Sequence, residues 1–380
     1  MRAEVPYRRL VRTVRALRPY AAAGGMYGDG PRVLYLFGRG DRLTVAAGSV
    51  LEAAEVDLPS TDADNGCCAV TVESLIAALA AIRPSSRPQA ATVVVLGDAD
   101  GLQLSAIEGG SIRLPVQPTT PVDIQPSAES AVLVDAAPAG AACSLLTRVG
   151  AAAAADSSGL EELAAVRLVR EAGACLLIEA TDRRRIHRAS YGEPEPTAVD
   201  AHMPLASLRR AVAVLTACDR TGALTIAADR YRIHWWTPAV RLTCHCSAGS
   251  YPDLERFRET VLEAAEATLV LDRAVTLAAL APTAALAAAG TLPVSIDPGP
   301  ATAAVTVVGP REVELYRATV PGRHLTGPAR SIRLNPVHAR DALALLAGDT
   351  VTIRTLPTEW QPVYLESGTR HAILTQLRPA

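Results

Sequence analysis

Short stretches of alternating apolar and polar residues recur along this 380-residue chain. Leu43-Thr44-Val45-Ala46-Ala47, Leu102-Gln103-Leu104-Ser105-Ala106, Leu176-Leu177-Ile178-Glu179-Ala180 and Leu224-Thr225-Ile226-Ala227-Ala228 each read as a half-buried strand, as do Val305-Thr306-Val307 and Val351-Thr352-Ile353. Taken alternately, the runs starting at 43, 176 and 305 are 133 and 129 residues apart, and those starting at 102, 224 and 351 are 122 and 127 apart. Helical stripes keep the same step. Leu75, Leu79 and Ile82 follow an i, i+4, i+7 pattern, and Leu208 with Val212, then Ala339 with Leu343, repeat it 133 and 131 residues further on. Strands and helices sharing one period predict three similar domains, each of two half-repeats.

The clearest internal copy is Asp182-Arg183-Arg184-Arg185-Ile186-His187 against Asp229-Arg230-Tyr231-Arg232-Ile233-His234. Each follows a strand, so each is expected to be a turn closing a hairpin, with the aspartate bonding nearby backbone amides. The matching positions of His187 and His234 point to a structural role. The Pro-rich stretch Val116 to Pro126 marks the first boundary, and the second falls near Tyr251 to Glu259. The expected domains are 1–128, 129–256 and 257–380. Strands follow one another without a crossover helix between each pair, which predicts an α+β class of antiparallel sheets with helices on one face.

Composition narrows the chemistry. Apolar residues make up 49%, enough for a core in every domain, while aromatics are only 4%, leaving Leu, Val, Ile and Ala to build those cores. The 37 basic residues are all arginine and nearly balance 39 acidic ones. Without lysine there is no Walker A lysine, Schiff-base lysine or Ser–Lys pair. Gly38-Arg39-Gly40 lacks a third glycine, and neither G-x-S-x-G nor H-E-x-x-H occurs, so no catalytic constellation is expected. Seven scattered cysteines suggest reduced thiols in a cytoplasm. Cys244-His245-Cys246 would alternate faces on a strand, and neither metal nor cofactor is expected. No run of 18 apolar residues would cross a membrane, and Met1 to Pro6 has no apolar core of a signal peptide.

The segment Arg8 to Arg18 predicts an amphipathic helix: Leu10, Val14 and Leu17 on one face, Arg8, Arg12 and Arg15 on the other, with no acidic residue between. Such a row is either a solvated face or a face held against phosphate. Arg148, Arg209, Arg210, Arg273 and Arg340 fall on or beside the equivalent helices of later repeats, which strengthens the second reading. The Arg-rich turn at 183–185 is either a plain hairpin turn or the border of a peptide groove.

Several segments resemble the bacterial DNA polymerase III beta subunit, the sliding-clamp family. Ala180-Thr181-Asp182-x-x-Arg185-Ile186 resembles its A-T-D-G-H-R-L segment, and Gly249-Ser250-Tyr251-Pro252-Asp253 its G-x-F/Y-P-D segment. Ile332-Arg333-Leu334-Asn335 with a helix over Pro336 to Leu346 resembles the third-domain strand and Asn-led helix. A final strand over His371 to Arg378 falls where the family ends in Y-x-x-M-P-x-R-L. The resemblance runs through the whole chain in order. It implies a head-to-tail homodimeric ring, linked topologically to double-stranded DNA, that tethers polymerase and clamp-loader subunits through short linear peptides. It also implies a peptide pocket of Leu163, Thr181, Arg184, Arg185, Ile186, Leu374, Thr375, Gln376 and Leu377. Edge strands such as Gly110 to Leu114 would pair across the dimer contact.

The chain departs from the family pattern in places. Arg183 replaces a glycine, Arg184 stands where His is usual, Leu374-Thr375-Gln376-Leu377 replaces M-P-x-R, and Gly48-Ser49 replaces a T-D. Gln376 would cost about 1–3 kcal/mol if buried without a partner. The expectation is weaker binding of a Q-x-x-apolar peptide and a preference for acidic residues beside the apolar anchors. A processivity clamp is the first reading. A diverged paralogue with an altered pocket, in a specialised or resistance role, is the alternative, and an enzyme on a repeated scaffold the third.

Overall fold

The computed structural model describes residues 1–21, 31–49, 51–83, 91–98, 100–106, 110–118, 130–155, 159–288, 292–309, 313–358 and 360–378. Of the expected linker, 119–126 lies outside the described residues, as does 128 at the first expected boundary. Seven α-helices occur among the described residues: α1 (Tyr7–Leu17), α2 (Val72–Ala81), α3 (Ala139–Gly150), α4 (Leu205–Cys218), α5 (Leu254–Glu263), α6 (Arg273–Ala288) and α7 (Pro336–Leu345). The strand pairings are antiparallel, giving the expected α+β architecture.

The chain divides into two compact units, one of Met1–Ser144 with Ala206–Cys246, the other of Leu145–Leu205 with Ser247–Ala380. The first holds an eight-stranded and a four-stranded sheet. In the larger one, Glu52–Pro59 pairs with Val240–His245, so the two stretches of chain share one ladder. In the smaller, Ser111–Leu114 forms as expected beside Leu102–Ala106 and ends the sheet. α1 buries Leu10, Val14 and Leu17 completely. Its N-cap is Pro6, which supplies no side-chain hydrogen bond, and the first turn has no acidic residue. Packing of the apolar stripe, rather than capping, therefore holds this helix.

The second unit is built on one twelve-stranded sheet. Its central join is Arg185–Glu195 against Arg370–Leu374, with Arg185 opposite Leu374 and His187 opposite Ala372. Pairing these strands satisfies backbone groups that either would otherwise present at an open edge. Asn335 caps α7, its side chain accepting from the amides of Val337 (2.9 Å) and His338 (3.3 Å). A small core of Ile186, Leu254, Val261, Leu356, Tyr364 and Ile373 seats α5 on this join.

Three local expectations change. The stretch Tyr251 to Glu259, near which the second boundary is expected, carries a helix the pattern did not predict, α5, started by Asp253, whose carboxylate accepts from the Arg256 amide at 3.0 Å. The final strand stops at Leu374 rather than Arg378. Beyond it, Thr375 N–H still donates to the Arg184 carbonyl in the same register, and by Leu377, whose N–H donates to the Arg333 carbonyl, the chain has left that partner, both bonds at 2.9 Å. In α4 the buried stripe is Leu208 and Leu215, and Val212 is half-buried.

Candidate functional site

The turn at Thr181 to Ile186 is held from its own side chains. Asp182 Oδ1 accepts from the amides of Arg184 (2.9 Å) and Arg185 (3.0 Å), and Oδ2 from Arg185 Nε (3.0 Å). Thr181 Oγ1 accepts from Arg183 N–H (3.1 Å) and donates to the Arg185 carbonyl (2.8 Å). Arg185 Nη1 also reaches Asp341 at 2.9 Å. Arg183 has φ +70°, a left-handed backbone that a residue with a Cβ rarely adopts.

Beside this turn lies a cleft of about 540 Å³ within the second unit. Its apolar lining comes from Leu163, Ile186, Leu254, Phe257 and Ile373, and its polar rim includes Arg183, Arg184 and Thr375. Tyr251 and Pro252 close one wall. Tyr251 is half-buried, and its hydroxyl accepts from the Thr181 amide at 3.1 Å, which ties the wall to the turn. Burial, with Glu179 nearby, pushes this phenol well above its ordinary pKa. Behind Tyr251, Arg167 contacts Glu179 at 3.0 Å, and Arg188 contacts Glu179 at 3.3 Å and also Glu255. Burial raises the pKa of Glu179 against the pull of Arg188 and Arg167. The hydrogen bond from Arg258, together with Arg188, holds Glu255 down at about 2. These charges are compensated among themselves and stiffen the wall.

Six of the nine expected pocket residues line the cleft: Leu163, Thr181, Arg184, Arg185, Ile186 and Thr375. Leu374, Gln376 and Leu377 are not among its lining. Leu374 points into the main core of the unit, packed with residues such as Leu343 and Val363. Gln376 does not carry an unpaired amide: its Oε1 accepts from Arg333 N–H (3.2 Å) and its Nε2 donates to the Gln361 carbonyl (2.9 Å). The expected desolvation cost is therefore absent. Sequence reasoning missed Tyr251, Pro252, Leu254, Phe257 and Ile373 as lining, although Tyr251-Pro252-Asp253 had been singled out as a motif. The i, i+3, i+7 spacing of Leu254, Phe257 and Val261 behind an aspartate cap was the available signal for α5.

The arginines expected at DNA sort into two groups. Arg8, Arg12, Arg15 and Arg209, in the first unit, are exposed, and among the described residues no carboxylate pairs with them. Arg12 Nη1 makes a 3.4 Å contact with the Ala217 carbonyl. Arg8 stands in the first turn of α1, where the helix dipole disfavours a cation, so helix stability does not explain it. Arg210 differs, held by Glu52 through Nε (2.8 Å) and Nη2 (2.6 Å). In the second unit, Arg148 and Arg340 are exposed, with Asp341 3.9 Å from Arg340. Arg273 is half-buried, donating to the carbonyls of Gly348 (2.6 Å) and Leu343 (3.3 Å) near the end of α7. Burial first, then the charges of Arg148 and Arg273, lower the pKa of Arg370, so three guanidiniums share this region. Among the described residues no group of three His, Cys, Asp or Glu side chains could hold a metal ion, and no helix is long and apolar enough to cross a membrane.

No protein-family model and no curated protein matches this sequence. Solved structures do match, over 100% of this chain and 100% of theirs. The DNA polymerase III subunit beta from Pseudomonas aeruginosa is similar at 16% identity with a TM-score of 0.79. The beta subunit from Streptococcus pyogenes gives 14% and 0.80, and a putative beta subunit from Eubacterium rectale 12% and 0.80. With helices, antiparallel sheets and full-length coverage all in agreement, this chain has the fold of the bacterial DNA polymerase III beta subunit, the sliding clamp.

Proposed function

We propose that this protein is a diverged sliding clamp, a non-enzymatic processivity factor of the bacterial cytoplasm. Two copies would close head to tail into a ring around duplex DNA, each contributing three domains, 1–128, 129–256 and 257–380. The observation that carries this reading is the full-length likeness to beta subunits, at a TM-score of 0.79 with neither chain left over. The row Arg8, Arg12 and Arg15 supports it independently: cations without carboxylate partners among the described residues, on a helix whose stability they do not serve, suit phosphate contacts. Such contacts are weak and carry no base readout, so the ring would slide while a protein held in the cleft stays tethered. Arg148, Arg209 and Arg340 would add to them, and Arg210 and Arg273 would act mainly by holding Glu52 and the end of α7. Polymerase and clamp-loader subunits would dock by short peptides.

Retention on DNA tests the reading. Protein loaded by its cognate loader should remain on nicked circular DNA and run off once the circle is linearised. Equal retention on both forms would replace topological linkage by ordinary adhesion. Arg12→Ala with Arg15→Ala should weaken DNA binding about equally across sequences and flatten its salt dependence.

A further inference from the structure

We infer that the cleft selects peptides carrying a carboxylate beside their apolar anchors, and that Arg183 is the residue that reads it. This rests on the proposed peptide-docking role and names the partner chemistry. Among the described residues, only Ala136, Arg183 and Trp360 combine a side chain with a left-handed backbone. A glycine would hold the position of Arg183 without strain. The guanidinium does not repay that strain within the fold. The Arg183 side chain is 66% exposed, and its carboxylate contact is Glu162 at 3.4 Å, itself 40% exposed, a pair that water screens. Strain kept at the rim of a cleft, without compensation from packing, points to a ligand contact.

The neighbouring charges agree. Arg185 is engaged by Asp182 and Asp341, but Arg184 is exposed and has no carboxylate partner among the described residues. Among the described residues the acidic groups lining the cleft are Glu162, on Arg183, and Asp253, whose carboxylate caps α5. One edge of the cleft therefore presents two cations with a single weak competitor. The apolar floor includes Phe257, which is 42% exposed and available to an apolar anchor. Apolar floor and cationic edge together match a short segment with apolar anchors flanked by Asp or Glu.

Two fluorescein-labelled peptides, sharing Leu and Phe anchors and differing only in Asp or Asn beside them, are titrated by anisotropy into the full chain. The Asp peptide should bind roughly fivefold to tenfold more tightly in low salt, and the gap should narrow as salt rises. In Arg183→Gly the preference should fall towards one while the melting temperature stays level or rises, because relieved backbone strain and lost ligand contact act on different readouts. Glu162→Gln should tighten the Asp peptide by removing its competitor. Equal binding of both peptides by the unaltered protein overturns the carboxylate preference and leaves the docking role standing. Binding of neither overturns the docking role and this inference with it. A preference that survives Arg183→Gly removes Arg183 from the reading.

Discussion

The two copies of the Asp-Arg-x-Arg-Ile-His segment fold into nearly the same turn with different consequences. Asp229 Oδ1 accepts from the amides of Tyr231 and Arg232, both at 2.8 Å, just as Asp182 Oδ1 accepts from those of Arg184 and Arg185. Both histidines that follow are buried, at 0% for His187 and 2% for His234. The difference begins one residue upstream. Thr181 offers Arg183 N–H an acceptor, whereas the matching Ala228 has no hydroxyl. Arg183 takes a left-handed backbone, and Arg230 does not. Arg230 lies over the ring of Tyr231 at 5.4 Å, with the side chain of its own turn as neighbour. The aspartate thus sets the turn in both places, and the two copies differ in the hydroxyl at Thr181 and in the backbone of Arg183 that bonds to it.

The largest separation between the two copies should come from acid. His187 Nδ1–H donates to the Arg148 carbonyl at 2.9 Å, its Nε2 has no hydrogen-bond partner among the described residues, and burial lowers its pKa to about 4. His234 is also lowered by burial, but Asp229, 3.6 Å away, pulls the other way. A folded pKa below the unfolded value of about 6.5 means that the unfolded chain takes up a proton which the native state refuses. The stabilisation is complete above pH 6.5 and drains away as pH falls towards 4, at no more than about 1.4 kcal/mol per unit for each histidine. The second unit also holds His202, His338 and His371, all lowered first by burial, the last to about 3. Hydrogen exchange at pH 5 should therefore open Arg185–Glu195 before Arg232–Trp236, and proton NMR should place His187 near 4 and His234 above it. The reverse order would break the comparison.

Removing the aspartates comes next. Asp182→Ala and Asp229→Ala each leave two amides without their acceptor, and each should cost about 1–2 kcal/mol in urea unfolding. Only the first should disturb the cleft, because Asp182 also orients Arg185, which then depends on Asp341 alone. Thr181→Ala, which makes the first turn resemble the second, should cost about 1 kcal/mol. It should also weaken peptide binding more than it weakens the fold, since Arg183 loses the acceptor that fixes its direction.

Local chemistry was readable in the sequence, and long-range partners were not. The strands, the α1 stripe and the aspartate turns follow from spacing within a few residues, so pattern alone reached them. The pairing of Arg185 with Leu374 joins residues far apart in the chain, and no periodicity signals it. Arg210 reads as a free cation until Glu52, 158 residues away, is found beside it. Gln376 looked costly because the carbonyl and amide that satisfy it belong to Gln361 and Arg333. α5 was hidden for another reason: Gly249 and Pro252 punctuate the chain just ahead of it, and its apolar stripe is only two turns long. Arg183 was visible as an unusual residue, but its left-handed backbone depends on how the Thr181 hydroxyl is placed.

The smallest effect carries the sharpest sign. Glycine widens the choices of the unfolded chain, which ordinarily destabilises by about 0.5–1 kcal/mol. At Arg230, whose backbone is not left-handed, that cost is unopposed, and Arg230→Gly also loses the contact with Tyr231. It should lower the midpoint of thermal unfolding by a few degrees at most. At Arg183 the same entropy cost is set against release of a left-handed strain of about 1–2 kcal/mol. The exposed contact with Glu162 returns less than about 1 kcal/mol. Arg183→Gly should therefore be neutral or stabilising, and the two substitutions, identical in chemistry and matched in the repeat, should differ in their effect on stability. Calorimetry on both variants at pH 7.5, above the histidine transitions, reads that difference directly. If Arg183→Gly destabilises as much as Arg230→Gly does, the arginine is serving the fold after all, and the two turns are one structural device used twice.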